Sequence, residues 1–130
     1  MARTGQPYPT DGELAILRVL WRGGPTRLSA ICEALSVQRK VAPTTVATML
    51  KIMKRKGQVK RTAGTEGVRW QAVLSQKEAG SSLLANLVHR VFEDSAQQVV
   101  LHLLDEGHLS AEDQEEIRRL LTARTRKPRP

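Results

Sequence analysis

The sequence is short of several things, and each shortage removes a class of function. It holds one cysteine, Cys32, so no disulfide can form within the chain. Cys32 follows Ile31 on an apolar stretch, where a free thiol serves core packing. Aromatic residues make up 3%: Tyr8, Trp21, Trp70 and Phe92. Binders of single-stranded nucleic acid stack bases on aromatic platforms, and this chain offers few. No apolar run is long enough to span a bilayer, so direct membrane insertion is not expected. The opening "MARTGQPYPTDGE" has no apolar signal core, which leads us to expect a cytoplasmic protein. A nucleophile elbow, a phosphate-binding glycine loop and an HExxH pair are all missing. His89, His102 and His108 are too scattered for a preformed triad, and zinc wants three or four converging ligands. We therefore expect no enzyme, no metal and no cofactor.

What the chain does have is an uneven charge. The formal net charge is +8 over 130 residues. Residues 1–74 hold thirteen Lys and Arg against four acids, whereas residues 75–123 hold four against nine. The final "RTRKPRP" adds four cations. A basic front marks a polyanionic partner. With so few aromatics, duplex DNA fits that partner better than single-stranded RNA.

The front half reads as three helices and a hairpin. Thr10 with Glu13 forms a capping box, opening a helix to about Trp21 with Leu14, Leu17 and Trp21 on its inner face. "RGGP" breaks it, and the extended "PTRL" leads to a second helix at about 29–37, Ile31 and Leu35 inward. "APTTVATMLKIMKRKG" then has proline in its first turn and glycine past its end, which predicts a helix over 43–56. Stepping about 100° per residue puts Val46, Met49, Leu50 and Met53 on one face. Thr44, Thr48, Lys51 and Arg55 fall on the opposite one, with Thr45 beside them. Small hydroxyls and methyls can approach base edges, and cations reach phosphates, so this face suits a major groove. Ile52 lies on the flank, where it could touch a thymine methyl or pack on the hairpin. "VKRTAGTEGVRWQAV" reads as two strands, 59–62 and 68–73, around a glycine-containing loop. This order is a winged helix-turn-helix, whose third helix enters the major groove and whose wing carries Lys60, Arg61 and Arg69.

The back half is helical. Ser75 with Glu78 caps a first helix, one near Ser95 starts a second, and Ser110 with Asp113 opens a third. Leu83, Leu84, Leu87, Val88, Val91 and Phe92 form a wide apolar stripe on the first, and Val99, Val100, Leu103 and Leu104 one on the second. Roughly fifty residues rarely bury enough apolar surface by themselves. Either the winged helix or a second copy covers these stripes, and the second copy is the simpler solution. The organisation expected is a winged-helix DNA-binding domain (1–74), a helical dimerisation domain (75–123) and a basic flexible tail (124–130). The fold class is mainly α with a small β-hairpin wing.

"PTDGELAILRVLW", "APTTVATMLKIMKRKG", "GVRWQA" and "LLDEGHLSAEDQEEIRRLL", in that order, resemble the penicillinase-repressor (BlaI/MecI type) family from about Pro9 to Leu121. The resemblance implies a homodimeric winged-helix repressor on a palindromic operator, with a helical C-terminal dimerisation domain. It also implies, for several members, a membrane-bound sensor protease system that triggers cleavage in that domain. By register the candidate cut falls at His102 and Leu103, where the well-known members have Asn before the cut and this chain has His. Copper-responsive relatives carry a cysteine-rich C-terminal hook; "KPRP" is not one, so metal sensing of that kind is not implied. The function expected is a transcriptional repressor, with an architectural, non-regulatory duplex DNA binder as the other class. A sharp preference for one palindrome separates the two.

Overall fold

The computed structural model of the protein describes residues 8–125. The elements are α1 (Asp11–Gly23), α2 (Leu28–Leu35), α3 (Pro43–Arg55), β1 (Val59–Gly64), β2 (Gly67–Ala72), α4 (Gln76–Val91), α5 (Ala96–Asp105) and α6 (Ala111–Thr125). The chain is thus mainly α with one antiparallel hairpin, the order of a winged helix followed by three further helices. Of the expected basic tail, Arg124 and Thr125 end α6 and the remainder lies outside the described residues.

The capping box opens α1. Glu13 N–H donates to Thr10 Oγ1 at 3.2 Å, and Thr10 N–H donates to Glu13 Oε1 at 3.0 Å. Two of the orphan donors at the helix start are satisfied in this way. The inward face differs from the expected one. Ile16, Leu17 and Leu20 are buried, whereas Leu14 and Trp21 are only half-buried at the rim. Trp21 has a polar edge that needs a partner, and its Nε1 donates to the carbonyl of Leu74 at 2.9 Å. That bond fixes the ring where the chain leaves the hairpin. Leu14 joins it in a cleft with Ala79, Gly80 and Leu83 at the start of α4.

Ile31 anchors α2 in the core, and Leu35 and Cys32 pack against it, the role expected of the thiol. Ahead of α2, the extended segment joins the hairpin. Thr26 N–H donates to Trp70 O at 2.9 Å and Trp70 N–H donates to Thr26 O at 2.8 Å, so the wing is tied to the helices by backbone. The core consists of Ile16, Leu17, Leu20, Ile31, Val46, Leu50, Met53, Val59 and Trp70. Each fully buried aliphatic there contributes roughly 1.5–3 kcal/mol.

A polar cluster sits at the edge of this core. Lys56 Nζ lies 2.8 Å from Glu13 Oε2, and Gln58 Nε2 is 3.4 Å from Glu13 Oε1. The backbone carbonyl of Gln58 accepts from Val73 and Leu74. Three residues thereby join the start of α1, the end of α3 and both ends of the hairpin.

The chain divides into two compact units between Ala85 and Asn86, within α4. In the first, Ala79 is buried and Leu83 half-buried, while Leu84 is exposed. In the second, α5 and α6 bury no residue at all. Leu87, Val91, Val100, Leu101, Leu104, Ile117, Leu120 and Leu121 are exposed there, and Val88, Phe92, Val99 and Leu103 half-buried. The turn from α4 to α5 holds Glu93 and Asp94 at φ 50° and 65°. Among the described residues no helix is long and apolar enough to cross a membrane, and no group of His, Cys, Asp or Glu is placed to hold a metal.

Candidate nucleic-acid interface

Pro43 starts α3 with a fixed φ and no N–H to satisfy, and Gly57 at φ 83° turns the chain out after the C-cap Lys56. Val46, Leu50 and Met53 are fully buried and Met49 half-buried, which locks the helix rotation. Thr44, Thr48, Lys51 and Arg55 are exposed on the other side, whereas Thr45, also exposed, borders the cleft that Met49 shares with Leu14, Ala15 and Leu35. Lys54 is exposed with Lys51 and Arg55. Ile52, on the flank, is 37% exposed. The α3 sequence contains no acid.

The hydroxyl of Thr48 donates to the carbonyl of Thr44 at 2.9 Å. Its proton is therefore held by the helix. What Thr48 shows outward is a methyl group and an oxygen that can accept, a pair suited to a thymine methyl or to an exocyclic amine of adenine or cytosine.

The hairpin register sorts the wing cations. Arg61 stands opposite Trp70, Lys60 opposite Gln71, and Thr62 opposite Arg69. Cross-strand partners share a face, so Arg61 is on the face of Trp70 while Lys60 and Arg69 are on the reverse. Arg61 joins Lys51, Lys54, Arg55 and Trp70 around a groove of about 550 Å³ between α3 and β1. The structure thus brings together three of the residues singled out in the sequence and adds Lys54. Lys54 was legible in principle, one turn on from Lys51.

Arg69 is engaged elsewhere. Its Nη2 lies 2.7 Å from Glu66 Oε1 at the tip of the hairpin. Arg27, which the sequence did not single out, donates from Nη2 to the backbone carbonyl of Glu66 at 2.5 Å. No local pattern joins residues 39 positions apart. Neither Thr65 nor Glu66 has a positive φ, and Gly67 takes φ 101°, which fits a type I turn closed by a left-handed glycine.

Lys56 is the cation of this stretch that turns inward. Burial, the largest influence on Glu13, pushes its carboxyl up. Hydrogen bonds from Lys56, the Thr10 N–H and Gln58, with the charge of Lys56, outweigh that and hold it below its usual 4.5. The pair fixes the end of α3 on α1 and leaves Lys51, Lys54 and Arg55 facing outward.

A basic third helix with a locked apolar back, a hairpin wing beside it and cations lining the groove between them define a winged-helix DNA-binding protein. Comparison with known proteins carries the assignment further. The chain belongs to the penicillinase repressor family, whose model matches residues 9–123. It is a DNA-binding transcriptional repressor and not an enzyme. The methicillin resistance regulatory protein MecI of Mammaliicoccus sciuri is 20% identical over 112 residues, covering 86% of this chain and 91% of that protein. MecI of Staphylococcus aureus (strain N315) is 19% identical with the same coverage. Among solved structures, a ZitR variant of Lactococcus lactis aligns over 97% of this chain and 80% of its own, at 18% identity and TM-score 0.46. A MarR family protein from Bacillus stearothermophilus aligns over 94% and 78%, at 18% and 0.48.

Proposed function

We propose that the repressor works in the cytoplasm as a homodimer on a palindromic operator in duplex DNA. Helix α3 lies in the major groove of each half-site, with Thr44, Thr45, Thr48 and Lys51 toward base edges. Arg55, Lys60, Arg61 and Arg69 hold phosphates on either side of it. Residues 75–123 join the two copies through the stripes on α4 and α5. The observation that carries the dimer is that α5 and α6 bury nothing, although Val100, Leu101, Leu104, Ile117, Leu120 and Leu121 lie on them. Exposed apolar residues in that number on two helices call for a covering partner, and a second copy supplies matching stripes by two-fold symmetry.

Relief of repression by a cut at His102–Leu103 fits the same arrangement. The bond lies within α5, and a protease needs it extended. In an unpaired copy α5 buries no residue, so there it unwinds at low cost. The cut leaves α1–β2 intact and removes what pairs the copies. The step requires a protease, and a membrane-bound sensor protease system is the partner that the family resemblance implies for it.

The test is a chain ending at Ala85. It keeps the whole core, the Trp21–Leu74 bond and buried Ala79, so it should fold. Sedimentation should find the full chain dimeric and the shortened one monomeric. Linking two half-site contacts is worth roughly 10²- to 10⁴-fold, so the shortened chain should bind a full palindrome hardly better than a half-site. A shortened chain that stays dimeric, or holds the palindrome as tightly as the intact protein, overturns the proposal.

A further inference from the structure

Between Glu33 and Glu78 the sequence has ten cations and one acid, Glu66. That acid sits at the wing tip, against a cation assigned above to phosphate. Its carboxylate is 2.7 Å from Arg69 Nη2, and the Glu66 side chain is still 74% exposed. Its backbone is held by Arg27, and the following Gly67 has a conformation that fixes the turn. The carboxylate is thus kept on the guanidinium by its own loop, and it offers Arg69 an anionic oxygen acceptor of the kind a phosphate also presents.

We propose that Glu66 is an internal counter-anion: in the free repressor it occupies the place on Arg69 that a DNA phosphate takes in the complex, and so limits the grip of the wing on any duplex. The inference rests on the wing contacting phosphate, as argued above. Its physics is an exchange. Where a bare arginine would neutralise a phosphate and release a condensed cation from the DNA, Arg69 arrives already neutralised. The carboxylate must swing into water for the new pair to form, and until it does it repels the backbone. Glu66 makes no use of base identity, so it sets strength and leaves sequence choice to α3.

Glu66→Gln removes the charge and keeps the length. An exposed pair of this kind is weak, so the expected gain in affinity is roughly 2- to 5-fold per wing. The gain should be the same for an operator duplex and a mixed-sequence duplex, and the slope of log K against log salt should steepen by about 0.9 per wing. Glu106→Gln, an equal charge change in the C-terminal unit, controls for net charge. Arg69→Ala should weaken binding, and adding Glu66→Gln to Arg69→Ala should bring no further gain. A gain equal to that of Glu106→Gln, or one that persists without Arg69, overturns the proposal and leaves the wing as a DNA contact. If Arg69→Ala leaves binding unchanged, the wing assignment falls and the counter-anion falls with it. The full-length chain serves throughout, and its fold is checked by the fluorescence of Trp21 and Trp70.

Discussion

Replacing Lys56 with methionine should cost the winged helix about 3 kcal/mol at neutral pH. The Glu13 and Lys56 side chains are 7% and 15% exposed, so the substitution strands a carboxylate that is out of water. Stripping one partner from a buried pair typically costs about 3–5 kcal/mol. The lower end applies because Glu13 keeps the Thr10 N–H and the Gln58 amide. Glu13→Gln should cost less, about 1–2 kcal/mol, since the amide can still accept from Thr10 and the flexible ammonium can reach water. The double variant should fall short of the sum by roughly 1–3 kcal/mol, the coupling expected of residues in contact. Acid supplies a second handle. The Glu13 carboxyl is held below 4.5 in the folded protein, so its stabilisation is complete above that value and is lost as pH falls through the lower folded one. In Lys56→Met both lowering influences of Lys56, its hydrogen bond and its charge, are gone, so the folded carboxyl lies higher than in the parent. That variant's deficit should therefore shrink on acidification, and the two stability curves should converge. Urea unfolding followed by tryptophan fluorescence reads the right unit, because both tryptophans pack in or against its core. A Lys56→Met chain within about 0.5 kcal/mol of the parent, the range of an ordinary surface change, would refute the reasoning. So would a deficit that stays constant into acid.

The interface makes two further claims that can be checked. With six to ten phosphates neutralised per site, affinity for duplex DNA should drop roughly 10³- to 10⁵-fold between 50 and 200 mM salt, and a flat titration would remove the electrostatic reading of the basic front. Thr48→Ala or Lys51→Ala should relax sequence preference in a selection from random duplexes, whereas Arg61→Ala should weaken all duplexes alike and reduce the salt slope by about one; the reverse pattern would exchange the roles of helix and wing.

Much of the fold was legible because local rules and burial agree. The Thr10–Glu13 box, Pro43 and Gly57 punctuate the helices as their chemistry demands, and the apolar period of α3 gives its buried face directly. The inner face of α1 was harder. A 100° step places Leu14, Leu17 and Trp21 on one stripe, yet Ile16 and Leu20 also lie within reach of Leu17. Which neighbours turn inward depends on where α2 and α3 pack, and a single helix carries no record of that. Glu13 was legible as a cap but not as the partner of Lys56, 43 positions away. The wing cations could be found but not sorted, because a strand face follows from pairing register, and Arg61 and Arg69 part company only once Trp70 is seen opposite Arg61. The engagement of Arg69 by Glu66, and of Glu66 by Arg27, depends on the turn geometry for the first and on tertiary placement for the second.

The bare surfaces of α5 and α6 bear on dosage. If those helices are covered only by another copy, the active species forms in proportion to the square of the chain concentration when copies are scarce. Halving the amount of chain, as growth and division do without new synthesis, would then cut the paired form about four-fold by mass action. Operator occupancy would respond to repressor level as a threshold rather than in proportion. A cell could lift repression by dilution alone, without a bound effector and without altering a single residue that faces DNA.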